Sequence, residues 1–181
     1  MARFRFLIGA ALVFGSLPAL AQKSGTAGGK GRILYDLSHD AMEKAEVAFS
    51  PRVAWATGDE SGPGGKRIHV VLSESEAPLL ELSQIWSRPT ARMKHCAEKK
   101  VPFVAVELNP EGGVELLHQC AAGRFATEMV STFNGLDSVV VTLEVFSAKQ
   151  VKGTLRGGDG SCGDGVYCEK TEDYLFDAPL N

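Results

Sequence analysis

The sequence predicts a mainly β protein, an antiparallel sandwich or open barrel of about eight short strands with one helix. The alternative is an α+β sheet with that helix on one face. Three observations carry this. Apolar and polar residues alternate with period two in segment after segment. Short reversals rich in Gly, Pro and Asn join many of these segments, which favours antiparallel pairing. A helical period recurs clearly in one place only, Glu76 to Trp86.

The N-terminus stands apart from that fold. Arg3 and Arg5 precede an apolar run from Phe6 to Leu20, broken at Ser16–Leu17–Pro18, and Ala19–Leu20–Ala21 is a small-x-small cleavage site. This is the pattern of a secretory signal peptide over residues 1–21, with cleavage after Ala21. The core is too short for a membrane span. No cysteine follows the cleavage site, which argues against a lipid anchor. Export to the periplasm or the medium is therefore expected. Losing two arginines and no acid moves the net charge from −3 to −5. A mildly acidic chain lacks the basic stripe that nucleic acid requires, and it disfavours anionic membranes. Residues 22–30 are small and polar and read as a flexible leader, with one domain over 31–181.

Within that domain, Arg32 to Leu37 alternates as a first strand. Val47, Phe49, Val53 and Trp55 continue the pattern around Pro51, which cannot donate to a ladder and so marks an edge or a break. Gly58 to Gly65 is a loop. Ile68, Val70 and Leu72 share one face of the next strand, which places His69 on the other, read as solvent-facing. The helix over 76–86 starts with acid and Pro78, as an N-terminus favours. Pro89 should stop it, and helix can resume over Thr90 to Lys99.

Val101–Leu108 and Val114–Cys120 form a hairpin about Asn109-Pro-Glu-Gly-Gly113. Gly123–Phe133 alternates and ends at Asn134–Gly135, a strong reversal signal. Strands follow at 139–146 and 150–156, and a last one near Tyr174–Ala178.

Four cysteines in an exported chain imply disulfides. Cys96–Cys120 and Cys162–Cys168 are the favoured pairs. The hairpin carries Cys120 back towards Cys96, and the second pair closes the glycine-rich loop 157–168.

Candidates for chemistry each meet a plainer reading. Asp159, Ser161 and Asp164 offer oxygen ligands, but their spacing is not that of an EF-hand loop. His95–Cys96 and His118–Cys120 could make a zinc or copper site, yet thiols in an exported protein tend to oxidise. His39 and Asp40 are adjacent, whereas a base and its orienter normally come from separate segments. Asp173 and Asp177 could be paired carboxylates or a strand's wet face. Trp55, Trp86 and Phe146 could line a groove, but core packing suits the tryptophans better. There is no Gly-x-Ser-x-Gly elbow and no His-Glu-x-x-His helix. The expectation is a non-enzyme without cofactor, catalytic residue or metal ligand. It would be an exported binding or accessory domain, a class that includes inhibitors, with a protein or envelope partner. A small secreted hydrolase and a metal-binding protein are the alternatives.

Four short stretches, Gly31-Arg-Ile-Leu34, Leu72-Ser-Glu74, Val151-Lys-Gly-Thr-Leu155 and Phe176-Asp-Ala-Pro-Leu180, give the chain a resemblance to a loose group of small exported bacterial β-rich proteins. That resemblance implies architecture alone, and no activity comes with it.

Overall fold

A computed structural model describes residues 23–36, 44–59, 67–121, 123–129, 139–157, 168–171 and 173–180. Among them the chain runs β1 (Gly25–Gly28), β2 (Gly31–Asp36), β3 (Lys44–Phe49), β4 (Val53–Asp59) and β5 (Arg67–Ser73). Then come α1 (Glu76–Ile85), α2 (Pro89–Lys99), β6 (Phe103–Leu108), β7 (Val114–Ala121) and β8 (Arg124–Met129). It closes with β9 (Val139–Phe146), β10 (Gln150–Gly157), β11 (Cys168–Thr171) and β12 (Tyr174–Pro179).

The protein is mainly β, as expected. A curled nine-stranded antiparallel sheet has the order β8-β7-β6-β5-β4-β1-β12-β10-β9, and a small sheet has the order β11-β2-β3. Among the described residues the strands outnumber the eight or so expected, and a second helix stands where helix was expected to resume over Thr90 to Lys99. Pro51 accounts for part of the difference. It breaks the long alternation, so that β3 joins the small sheet and β4 the large one.

One expectation is overturned at the N-terminus. Residues 22–30 do not all form a flexible leader, because Gly25–Gly28 is a strand inside the large sheet. It pairs β12 through Thr26–Asp177 and β4 through Gly25–Ala54. The physical reason is its small side chains: a Cβ on Gly25 would lie 1.8 Å from the Asp177 carbonyl oxygen. The composition that resembles a linker here permits close backbone approach.

The strand period then sorts residues to two faces. Val70, Leu72, Val104, Val106 and Leu117 face the larger core, closed by Ile33 and Phe49 from the small sheet. Trp55, Val71, Phe103, Ala105 and Cys120 face the other way, under Leu82, Trp86 and Cys96 of the helical segment. Both faces of β5 and β6 are therefore covered, and β6 is buried along its whole length. That is why these two strands read as nearly continuous apolar runs.

The helices start where the sequence indicated. Ser75 is extended at φ −153° with Glu76 in the first turn of α1, and Pro89 opens α2. The second helix ends in a left-handed Lys100, whose N–H bonds the Cys96 carbonyl at 3.0 Å. The β6–β7 turn is held by Asn109, whose Oδ1 accepts from the N–H groups of Glu111 and Gly113. Gly112 there has φ +87°, a conformation glycine allows. Among the described residues, no helix is long and apolar enough to cross a membrane.

Candidate metal centre

Three neighbouring strands bring ionisable residues together on the helix-covered face. His69 lies on β5 opposite Glu107 on β6, and His118 lies on β7 opposite Ala105, two residues along β6 from Glu107. Alternation turns all three side chains to one side, and strand spacing brings them together. One donor atom from each lies within 4.8 Å of the other two, and all three residues are buried.

The carboxylate divides its two oxygens. Oε1 accepts from Arg67 Nη1 at 2.7 Å. Oε2 faces the imidazoles, 3.5 Å from His69 Nδ1 and 3.9 Å from His118 Nε2. Arg67 also meets Glu115 through Nε at 3.2 Å, so its charge is shared between two acids. The Glu107 carboxyl is held below its ordinary range, chiefly by His118, with His69 and Arg67 adding to the effect and burial opposing it.

Aromatic rings enclose the cluster. Trp86 meets His69 and His118 edge-on, with centroids 5.7 and 5.9 Å away. Phe125 stacks on His118 at 6.0 Å. The Arg92 guanidinium lies 4.7 Å from the centre of the Trp86 ring. Trp86 therefore occupies the helix side of the cluster.

The donors suit a divalent transition ion. A tetrahedral ion about 2.1 Å from each donor sets donors about 3.4 Å apart. The His69–Glu107 pair is already near that spacing, His118 and Glu107 at 3.9 Å need to close by about half an ångström, and the two imidazoles lie within 4.8 Å of each other. Two imidazoles and a carboxylate are the ligand types of zinc, copper and iron rather than of calcium or magnesium.

The sequence reading meets this site in part. His69 was expected to face solvent, but it is 5 % exposed because α1 and Trp86 cover that side of β5. His118 is in the cluster, without a cysteine beside it as ligand. Cys96 and Cys120 are joined in a disulfide, as expected, with Cα atoms 5.8 Å apart. His95 stands on α2 with Nδ1 3.5 Å from Glu81 Oε2, outside the three-residue group. Glu107 was missed. Its signal was a lone acid on a strand apolar on both sides, Phe-Val-Ala-Val-Glu-Leu, matched by a lone histidine within Arg-Ile-His-Val-Val-Leu-Ser.

The other candidates do not converge. Asp173 pairs with Arg156, and Asp177 accepts from Gln150 at 2.6 Å. Trp55 and Trp86 are buried core residues, and Phe146 packs against the larger core. His39, Asp40, Asp159, Ser161, Asp164 and Cys162 lie outside the described residues, as does the Cys162–Cys168 pairing.

Fold and site thus define an antiparallel β protein with a roofed His–Glu–His cluster. Comparison with known protein families, with curated proteins and with solved structures finds no match.

Proposed function

We propose that this is an exported, non-catalytic binding protein whose ligand is a divalent transition-metal ion, held by His69, Glu107 and His118. The observation that carries the reading is the convergence of two imidazoles and a carboxylate, from three adjacent strands, to within 4.8 Å in a buried setting. Burying ionisable groups is costly unless they are paired or coordinate a metal. Arg67 engages one carboxylate oxygen, and a metal would engage the other together with both imidazoles. The indole roof of Trp86 favours retention of an ion over reaction at it. Export rests on the signal-peptide pattern of residues 1–21, and an oxidising compartment is where the Cys96–Cys120 bond would persist.

Titration of the chelator-stripped protein with Zn(II), Cu(II) and Ni(II), by calorimetry and elemental analysis, tests the reading. One equivalent of at least one ion is expected to bind with Kd below about 1 μM, some 8 kcal/mol. His69→Ala, Glu107→Gln and His118→Ala should each weaken binding by more than the roughly 10–100-fold that loss of an outer-shell partner costs. A well-folded protein that takes up none of the three ions, with Cys96 and Cys120 reduced as well as bonded, sinks the metal reading and leaves a buried charge network. N-terminal sequencing of the exported protein should begin at Gln22, and an intact Met1 would remove the export reading.

A further inference from the structure

The second helix has little apolar reason to lie where it does. Its buried side chains are Arg92, His95 and Cys96, while its one long apolar side chain, Met93, is 53 % exposed. An amphipathic helix docks by burying an apolar stripe, and α2 buries two ionisable groups instead. Neither Arg92 Nε nor His95 Nε2 has a hydrogen-bond partner among the described residues. Burial pulls both groups' pKa below their ordinary values, so docking opposes their charged forms. Beyond the contacts of His95 and Lys99 with Glu81 of α1, two attachments favour docking: the Arg92 stack on Trp86 and the covalent bond from Cys96 to Cys120.

Those attachments lie on one helix face, since Arg92 and Cys96 are four residues apart. They end beside the metal centre. Cys120 lies two residues from His118 on the same face of β7, and Trp86 touches both histidines. Cys96 and Cys120 are each 0 % exposed, so a thiol has no direct line to the closed bond.

We propose that the Cys96–Cys120 bond is a latch: metal enters the His69–Glu107–His118 centre while both cysteines are thiols, and the bond then fixes α2 and traps it. This rests on the metal reading above. The latch closes by exchange with a disulfide oxidant. One cysteine thiolate attacks the oxidant, forming a mixed disulfide and releasing one oxidant thiolate. The second cysteine, as thiolate, attacks the mixed disulfide and releases the other. The protein gives up two electrons and two protons, and the oxidant's disulfide becomes two thiols.

The test compares the oxidised protein with Cys96→Ala/Cys120→Ala in two ways. Metal exchange is followed as Zn(II) uptake, and as release to excess chelator. Acrylamide quenching reports the tryptophans, since Trp55 and Trp86 are 2 % and 3 % exposed in the closed form. The latch predicts uptake and release at least about tenfold faster in the variant, with Kd changed less than either rate, and stronger quenching. Equal rates and equal quenching overturn it. If neither protein takes up Zn(II), Cu(II) or Ni(II), the metal reading fails by itself, and quenching still decides whether the bond holds the roof. If the variant does not fold, the same readouts are taken on Cys162→Ala/Cys168→Ala with and without a phosphine reductant. There too, once a free-thiol assay shows the bond reduced, unchanged quenching and unchanged release overturn the latch.

Discussion

Glu107 is the residue on which the helix-covered face depends most. It receives a 2.7 Å hydrogen bond from Arg67 and faces two imidazoles, all from adjacent strands. Glu107→Gln keeps the shape but removes the charge that Arg67 and any bound cation face. It should cost about 2–3 kcal/mol in metal-free protein, less than breaking a fully buried ion pair because Arg67 is partly exposed. Urea unfolding at neutral pH measures this, and a change within about 0.5 kcal/mol would show that the pair contributes nothing.

Acidity separates two groups at the same scale. Glu107 has a lowered pKa in the fold, so its stabilisation is present above the ordinary carboxyl value and is lost as pH falls through the folded value. His95 is also lowered, first by burial. The unfolded chain then takes up that proton before the folded one does, and stability falls as pH drops below the ordinary histidine value. Metal-free protein should therefore lose stability in two stages on acidification, the His95 stage first. His95→Gln should remove the upper stage, and Glu107→Gln should reduce the lower one. Unfolding free energy against pH reads both, and an unchanged upper stage in His95→Gln would refute the assignment.

At the scale of elements, α1 and α2 make a roof with unequal parts. Leu82 and Trp86 supply its apolar underside, whereas the exposed face of α2 carries Met93. Trp86→Ala should cost about 3–5 kcal/mol, as large-to-small changes of buried aromatic residues do. Met93→Ala should change stability by less than about 0.5 kcal/mol. Thermal and urea unfolding of the two variants provide the comparison. Equal costs would mean that Trp86 does not carry the roof.

The same elements show what the sequence could reveal. Alternation gave most strands, and the acidic residues and Pro78 at its start gave α1. The hairpin between β6 and β7 was also legible: it pairs about Glu111 as expected, with Leu108 opposite Val114, and Cys120 lies opposite Phe103, two residues on from Val101. From this hairpin the Cys96–Cys120 bond followed. The site was half legible. Period two showed that His69 and Ile68 face opposite ways, but it cannot say that a helix later in the chain covers the His69 side. Assigning that face to water hid both His69 and Glu107. An ionisable residue inside a strand that is apolar on both sides was the available clue.

The whole molecule turns on β1. This four-residue strand joins the β8–β4 half of the large sheet, which carries the His69–Glu107–His118 cluster, to the β12–β9 half. Its hold on the fold is distributed: Ala27 N–H bonds the Arg52 carbonyl at 2.9 Å, and Ser24 Oγ donates to Glu76 at 2.8 Å. Where β1 ends, Leu180 meets Ala56 of β4 directly through a parallel bridge.

Two glycines at the ends of β1 distinguish a seam from a passive tail. Alanine at Gly25 would place its Cβ 1.8 Å from the Asp177 carbonyl oxygen, against backbone that cannot swing aside as a side chain would. At Gly28 nothing lies within 4 Å of the added carbon. Gly25→Ala should therefore destabilise by about 2 kcal/mol or more, since the strand or β12 must shift. Gly28→Ala should be neutral, or stabilising by up to about 1 kcal/mol through the unfolded chain. Hydrogen exchange adds the spatial readout, with Gly25→Ala expected to speed exchange in β4 and β12 before β6 and β7. A Gly25→Ala protein as stable as Gly28→Ala, with unchanged exchange in β4 and β12, would show that β1 is dispensable. In that case the two halves of the sheet would hold through the Ala56–Leu180 side alone.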